Sequence, residues 1–454
     1  MKLPAYPRTK PSGVEWLGNV PEHWEAKRLK YSASINDDAL PETTLPDFEF
    51  KYVDIGGVNA VDGITATEEL VFENAPSRAR RKVRHGDTIV STVRTYLRAI
   101  APIKNPPENL IVSTGFAVVR PRKVAPAFLA YALHESSFIE SVVARSTGVS
   151  YPACNASEVA GIAIPLPTPA EQRSIAAFLD RETGRVDRLV AKKRELIERL
   201  KEKRTALISR TVTRGLPPAA ARAAGLPANP PLKPSGVPWF DECPRHWQTK
   251  RLRHISDFIV VGVVVNPSSY VTDEGVVFLL GGDVREMRID TTDCKRCSPE
   301  SSNGPLVKSR LDAGDLVVVR VGYPGVAAVV PPELAGGNVA SMMLVRKHPR
   351  YCSQWLAYAF NSQVGRDQVE IVQYGAAQKQ FNISHAVDFA FPFPPLPEQA
   401  AIAAYLDEET AKLDALVGKV EEAVERLQEY RTALITAAVT GKIDVRANLN
   451  TITP

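Results

Sequence analysis

The chain has 454 residues, 44% of them hydrophobic and 24% charged, which excludes wholesale disorder and predicts more than one ordinary domain. Fifty-six Lys and Arg against 51 Asp and Glu give a net charge of +5, which permits nucleic acid as a partner without demanding it. Five cysteines are too few and too odd for a disulfide framework, no run approaches the ~18 apolar residues of a membrane span, and the opening Met-Lys-Leu-Pro-Ala-Tyr-Pro-Arg lacks a signal-peptide core; the expected location is cytoplasmic, with no membrane partner.

In chain order, the first element is an opening with Pro11-Ser12-Gly13-Val14, Trp16, Pro21, His23 and Trp24. A body of mixed, mostly β character follows. It carries the β-branched run Thr88–Val93 behind a Gly86-Asp87 turn and a short helix at Phe128–His134. Thr168-Pro169-Ala170-Glu171 is a capping box with proline at the first helical position. It starts a long helix in which Leu179, Val186, Leu200 and Leu207 fall on one heptad position, and Leu189 and Leu196 on the companion seam. Such a sustained heptad predicts a coiled coil, with Gly215 at its end and Gly184 as an early interruption. Residues 216–234 are rich in proline and alanine and read as a linker.

Everything then recurs. Pro234-Ser235-Gly236-Val237, Trp239, Pro244, His246 and Trp247 restate the opening. Leu316–Val321 behind Gly314-Asp315 and a helix at Ser353–Phe360 restate the body, and Leu406, Leu413, Val420, Leu427 and Leu434 restate the heptad. Residues 171–213 and 398–440 are identical at 25 of 43 positions, whereas the bodies between, about 30–165 and 253–392, are only faintly alike. Each half is a constant opening, a variable body and a constant close.

No catalytic motif stands out. No glycine-rich loop ends in Lys-Ser or Lys-Thr to cradle phosphates. Asn105-Pro106-Pro107-Glu108 resembles a methyltransferase tetrad but lacks the fourth aromatic residue that would stack on a flipped base. Cys294 and Cys297 are a lone pair, lacking two further zinc ligands at convincing spacing. His23 and His246, duplicated with their neighbours, suit packing better than duplicated catalysis.

Positive charge is concentrated at Arg78, Arg80, Arg81, Lys82 and Arg84, followed by Arg94, Tyr96 and Arg98. The second body offers Lys295, Arg296, Lys308, Arg310, Arg320 and Tyr323, then Tyr374 and Lys379. These are the candidate DNA-binding residues, since clustered cations neutralise phosphates and arginine also forks onto guanine edges. Residues 1–227 carry about +8 and residues 228–454 about −3, so the first half is the more basic.

The doubled Pro-Ser-Gly-Val…Pro-x-His-Trp opening, Pro-Leu-Pro and Glu-Gln before each long helix, and the Arg-Thr-Ala-Leu-Ile…Val-Thr endings resemble the specificity subunits of type I restriction–modification enzymes, across essentially the whole chain. The resemblance implies an α+β fold. Two target recognition domains of mixed, β-rich fold (1–168 and 234–395) would be separated by two long antiparallel coiled-coil helices (169–215 and 396–442). The linker 216–233, long for the family, and a tail, 443–454, complete the pseudo-two-fold repeat. It further implies a non-catalytic subunit that recognises a bipartite asymmetric site in double-stranded DNA and binds two modification (methyltransferase) and two restriction (motor-nuclease) subunits. S-adenosylmethionine, ATP and Mg would reside on those partners, with no cofactor or metal in this chain. The competing readings are a fused enzyme with its own activity and a coiled-coil scaffold that does not bind DNA.

Overall fold

The computed structural model describes residues 4–59, 62–149, 151–264, 266–376 and 378–446. It divides into two compact units: residues up to Arg194 together with those from Glu422, and Glu195–Glu421. The division falls inside both long helices, Pro169–Arg214 and Leu396–Val439. Each helix therefore begins in one unit and ends in the other.

The first unit holds two four-stranded sheets. One orders Ile100–Pro102, Thr88–Ser91, Phe116–Pro121 and Ala33–Ile35; the other orders Glu68–Val71, Glu49–Val53, Leu110–Ser113 and Ala79–Lys82. The run Thr88–Ser91 is buried throughout because both its faces are covered. Ile89 packs into the core around Val53, Val112 and Phe116, and Val90 into the core around Trp24, Phe128 and Phe138. This is why it reads as continuous β-branched residues rather than an alternating pattern. The pair Glu25–Arg28 with Ala163–Leu166 closes the body just before the helix leaves it.

The second unit repeats this plan. Its sheets order Ile259–Val261, Met342–Val345, Leu316–Val319 and Ala327–Val329, and Val271–Thr272, Lys295–Cys297, Val276–Leu279 and Asn338–Val339. Gln248–Arg251 pairs with Ala390–Phe393 at the corresponding exit. The two Gly-Asp turns have the same internal use. Asp87 is buried and accepts both Nε and Nη2 of Arg120, at 3.0 and 2.9 Å, and Asp315 accepts Nη1 of Arg346 at 2.6 Å.

The capping box forms as expected: Thr168 Oγ1 donates to Glu171 at 2.9 Å and accepts the Glu171 amide at 3.4 Å. Burial works to raise the Glu171 carboxyl, but hydrogen bonds with His23 and Thr168 outweigh it and hold the group below its ordinary value. His23 Nε2 lies 2.8 Å from Glu171, and His246 Nε2 lies 2.8 Å from Glu398. The repeated histidines thus tie each opening to a helix start.

The helix ends explain the repeated tryptophans. A Cβ on Gly441 would meet Pro21 and Trp24 in the first unit, and one on Gly215 would lie 3.5 Å from Trp247 in the second. Both glycines have positive φ, +72° and +83°, which terminates the helix without steric cost. Within the first unit the two helical segments run antiparallel, since Arg431 pairs with Asp187 at 2.9 Å and Arg446 approaches Glu171 at 3.6 Å. Within the second, Arg204 pairs with Asp414 at 3.0 Å, and Gly215 lies against Glu398.

Two details differ from expectation. Gly184 does not interrupt the first helix, which runs unbroken past it. The companion seam is not Leu189 and Leu196, which are 41% and 44% exposed, but Thr183, Val190, Ile197 and Thr211, all buried. These lie four rather than three residues beyond the leucine column, so the buried stripe lies on the other side of that column.

Candidate nucleic-acid interface

In the first unit, the chain leaves the strand Thr88–Ser91 through Val93, which bridges to Ala153. Arg94 then donates its amide to the Pro152 carbonyl at 2.8 Å, and Ala153 bridges back to Thr147. The turn 94–98 is thereby stitched to Pro152 and Ala153, and through Ala153 to Thr147. In the second unit Val321 bridges to Gln380, the Gly322 amide donates to the Lys379 carbonyl at 2.9 Å, and Gln380 bridges to Tyr374. The same stitch joins the turn 322–326 to Lys379 and Gln380, and through Gln380 to Tyr374.

Both loop pairs expose aromatic side chains beside cations. Tyr96 and Tyr151 are 54% and 62% exposed, and the Arg94 guanidinium lies 4.8 Å from the Tyr151 ring centroid. Arg98 pairs with Glu140 at 2.5 Å, and Thr95 Oγ1 meets Ser146 Oγ at 2.7 Å. In the second unit Tyr323 is 76% exposed and Tyr374 and Lys379 are also on the surface. Aromatic faces flanked by arginine and lysine can stack on bases while cations meet phosphates.

The remaining candidates scatter. The basic run is divided by its strand. Arg78, beside Ser113–Gly115, lies at the loop end and donates to Tyr52 Oη at 3.2 Å and Asp54 at 3.1 Å. Arg84, at the opposite end, pairs with Asp38 at 2.8 Å. Between them, Arg80 stacks on Phe72 at 4.5 Å, Arg81 is half-buried and Lys82 is exposed. The Tyr52 hydrogen bond and Asp54 both raise the Arg78 pKa.

In the second unit Lys295 and Arg296 lie exposed on a strand, with Arg296 donating to the Gly275 carbonyl at 2.9 Å. Lys308 and Arg310 are exposed near Arg346 and Asp315, at the end of Leu316–Val319 remote from Tyr323. Arg320 is not on the surface: it is 8% exposed and its Nε donates to the Phe381 carbonyl at 3.1 Å. Burial lowers its pKa, and its role here is to anchor the second loop.

Tyr151 was absent from the candidates read in the sequence. A signal existed: Gly148 and Asn155 recur as Gly375 and Asn382 at the same separation of seven. Both asparagines precede short helices and both glycines have positive φ. Asn105, Pro106 and Pro107 line a cleft beside His85 and Gly86, at the other end of the strand from the loops. Cys297 is buried, with its Sγ 3.7 Å from Asn338 Oδ1, and burial beside Asp283 pushes the Cys294 thiol up to about 12. Among the described residues no group of three or more His, Cys, Asp or Glu is placed to hold a metal ion, and no helix is long and apolar enough to cross a membrane.

Residues 21–199 match the family described as the type I restriction modification DNA specificity domain. The provisionally named MjaX specificity subunit of Methanocaldococcus jannaschii is 23% identical, over 95% of this chain and 96% of its own length. The StySPI specificity subunit of Salmonella potsdam is 22% identical, over 94% and 90% respectively. A solved chain from work on complex assembly and conformational transition of the type I R-M system superposes with a TM-score of 0.70 at 25% identity, covering 93% of this chain and 99% of that one. Over nearly its whole length the chain is thus similar to type I restriction enzyme specificity subunits, with residues 21–199 matching the DNA specificity domain of that family.

Proposed function

We propose that this chain recognises a bipartite, asymmetric site in double-stranded DNA, each unit reading one half through its stitched loop pair. The observation that carries this is that one backbone stitch recurs at Val93–Ala153 and Val321–Gln380 while the side chains it presents differ. An identical scaffold with different side chains is what two different half-sites require. The antiparallel helix segments, paired through Arg431–Asp187 and Arg204–Asp414, act as the spacer between half-sites and as the docking surface for two modification and two restriction subunits. Chemistry belongs to those partners, which bind S-adenosylmethionine, ATP and Mg; this chain contributes none. Its place is the cytoplasm, with the DNA.

The test exchanges residues 30–165 for the matching region of a relative and maps methylated adenines after co-expression with the modification subunits. The expected result is a new sequence in one half-site, with the other half-site and the gap between them retained. A change in both half-sites, or in the gap alone, would overturn the division into two readers. Methylation by the purified chain alone would overturn its non-catalytic role.

A further inference from the structure

The left-handed backbone region strains L residues, because Cβ crowds the following carbonyl, whereas glycine, which has no Cβ, enters it freely. Arg94 and Arg98 both lie there, at φ 51° and 50°. The equivalent positions of the second unit are Gly322 and Gly325, at φ 92° and 94°. The equivalence rests on hydrogen bonds: Arg94 N to Pro152 O matches Gly322 N to Lys379 O, and Ser91 N to Ala99 O matches Val319 N to Val326 O. The turn itself therefore favours glycine, and the second unit has it. In the first unit arginine stands there against a conformational cost, and strain of this kind concentrates where a side chain has a task.

The two arginines are not equivalent. Arg98 is engaged by Glu140. Arg94 has no carboxylate partner among the described residues; its guanidinium lies over Tyr151. Stacking on an exposed ring fixes the plane of the guanidinium and leaves its N–H edge free. A planar fork so presented matches the O6 and N7 acceptors of guanine in the major groove. At the equivalent place in the second unit, a Cβ on Gly322 would make only an ordinary contact, with Gln378 Nε2 at 4.0 Å, so packing does not exclude a side chain there. The fork is thus a feature of one unit.

We propose that Arg94, oriented by Tyr151, is a specificity-determining residue that reads a guanine in the half-site of the first unit. This rests on the reading of the loop pairs as DNA-contacting surfaces. The experiment uses the chain assembled with its modification subunits, on duplexes carrying the methylation site mapped for the wild type and single base-pair changes in it. For Arg94→Gly we expect a Tm unchanged or raised, because glycine suits the backbone. Discrimination against replacement of one guanine should fall about 10- to 100-fold, with the second half-site unaffected. Arg94→Lys keeps the charge and loses the fork, so it should lose the same discrimination while its salt dependence of binding stays close to wild type. A lowered Tm with discrimination intact would make Arg94 a structural residue and overturn the assignment. Absence of any defined site for the wild-type assembly would overturn the underlying reading as well.

Discussion

Tyr131 Oη donates to Asp180 at 2.8 Å in the first unit, and Tyr358 Oη to Asp407 at 2.7 Å in the second. Gln172 Oε1 accepts the Ala125 amide at 2.8 Å, and Gln399 Oε1 the Cys352 amide at 2.9 Å. Where a body meets a helix, the units agree almost bond for bond; at the loops, arginine faces glycine. The contrast separates two demands on one sequence. Polar contacts at such packed junctions have few solutions, because a partner left unpaired as it loses water costs up to about 1–3 kcal/mol when fully buried. Exposed loop side chains carry no such penalty and are free to differ.

The first way to break this comparison is at its most buried shared residue. Trp24 and Trp247 are both essentially inaccessible, so Trp24→Ala and Trp247→Ala should each cost about 3–5 kcal/mol. Each loss should fall on its own unit, which hydrogen exchange of the separate unit cores would report. Equal loss of protection in both units from a single substitution would refute their independence.

A smaller effect tests the helical seam. Ile197 is buried and Leu196 is exposed. Ile197→Ala should cost about 2 kcal/mol, while Leu196→Ala should stay within about 0.5 kcal/mol; denaturant melts of both variants decide it. A larger loss from Leu196→Ala would restore the seam first read in the sequence.

The smallest effect concerns acid. The Glu171 pKa is lowered in the folded chain. Its stabilisation is therefore fully present above the ordinary carboxylate value near 4.5 and is lost as pH falls through the lower folded value. Glu171→Gln should flatten stability against pH below about 4.5 and leave the slope at higher pH unchanged. A variant as acid-sensitive as wild type in that window would show that Glu171 contributes nothing through its charge.

What the sequence by itself determined was whatever repeats or is local. The duplication, the heptads, the Thr168–Glu171 capping box and the Gly-Asp turns were all legible, because period and capping depend on neighbours a few residues away. Even the helix stops at Gly215 and Gly441 followed from local backbone preference. The seam was misassigned to Leu189 and Leu196 because three- and four-residue spacings both satisfy a helical period, and a facing surface chooses between them. The run Arg78–Arg84 is contiguous in the chain, but an extended strand of this length places its ends roughly 20 Å apart, so only the fold could send Arg78 towards the loops and Arg84 to Asp38. Arg320 follows a β-branched run much as Arg94 does, yet it is buried under Phe381. Tyr151 met Arg94 only because two short bridges drew distant loops together. Those contacts join residues far apart in sequence, and the packing of two sheets and a helix pair decided them.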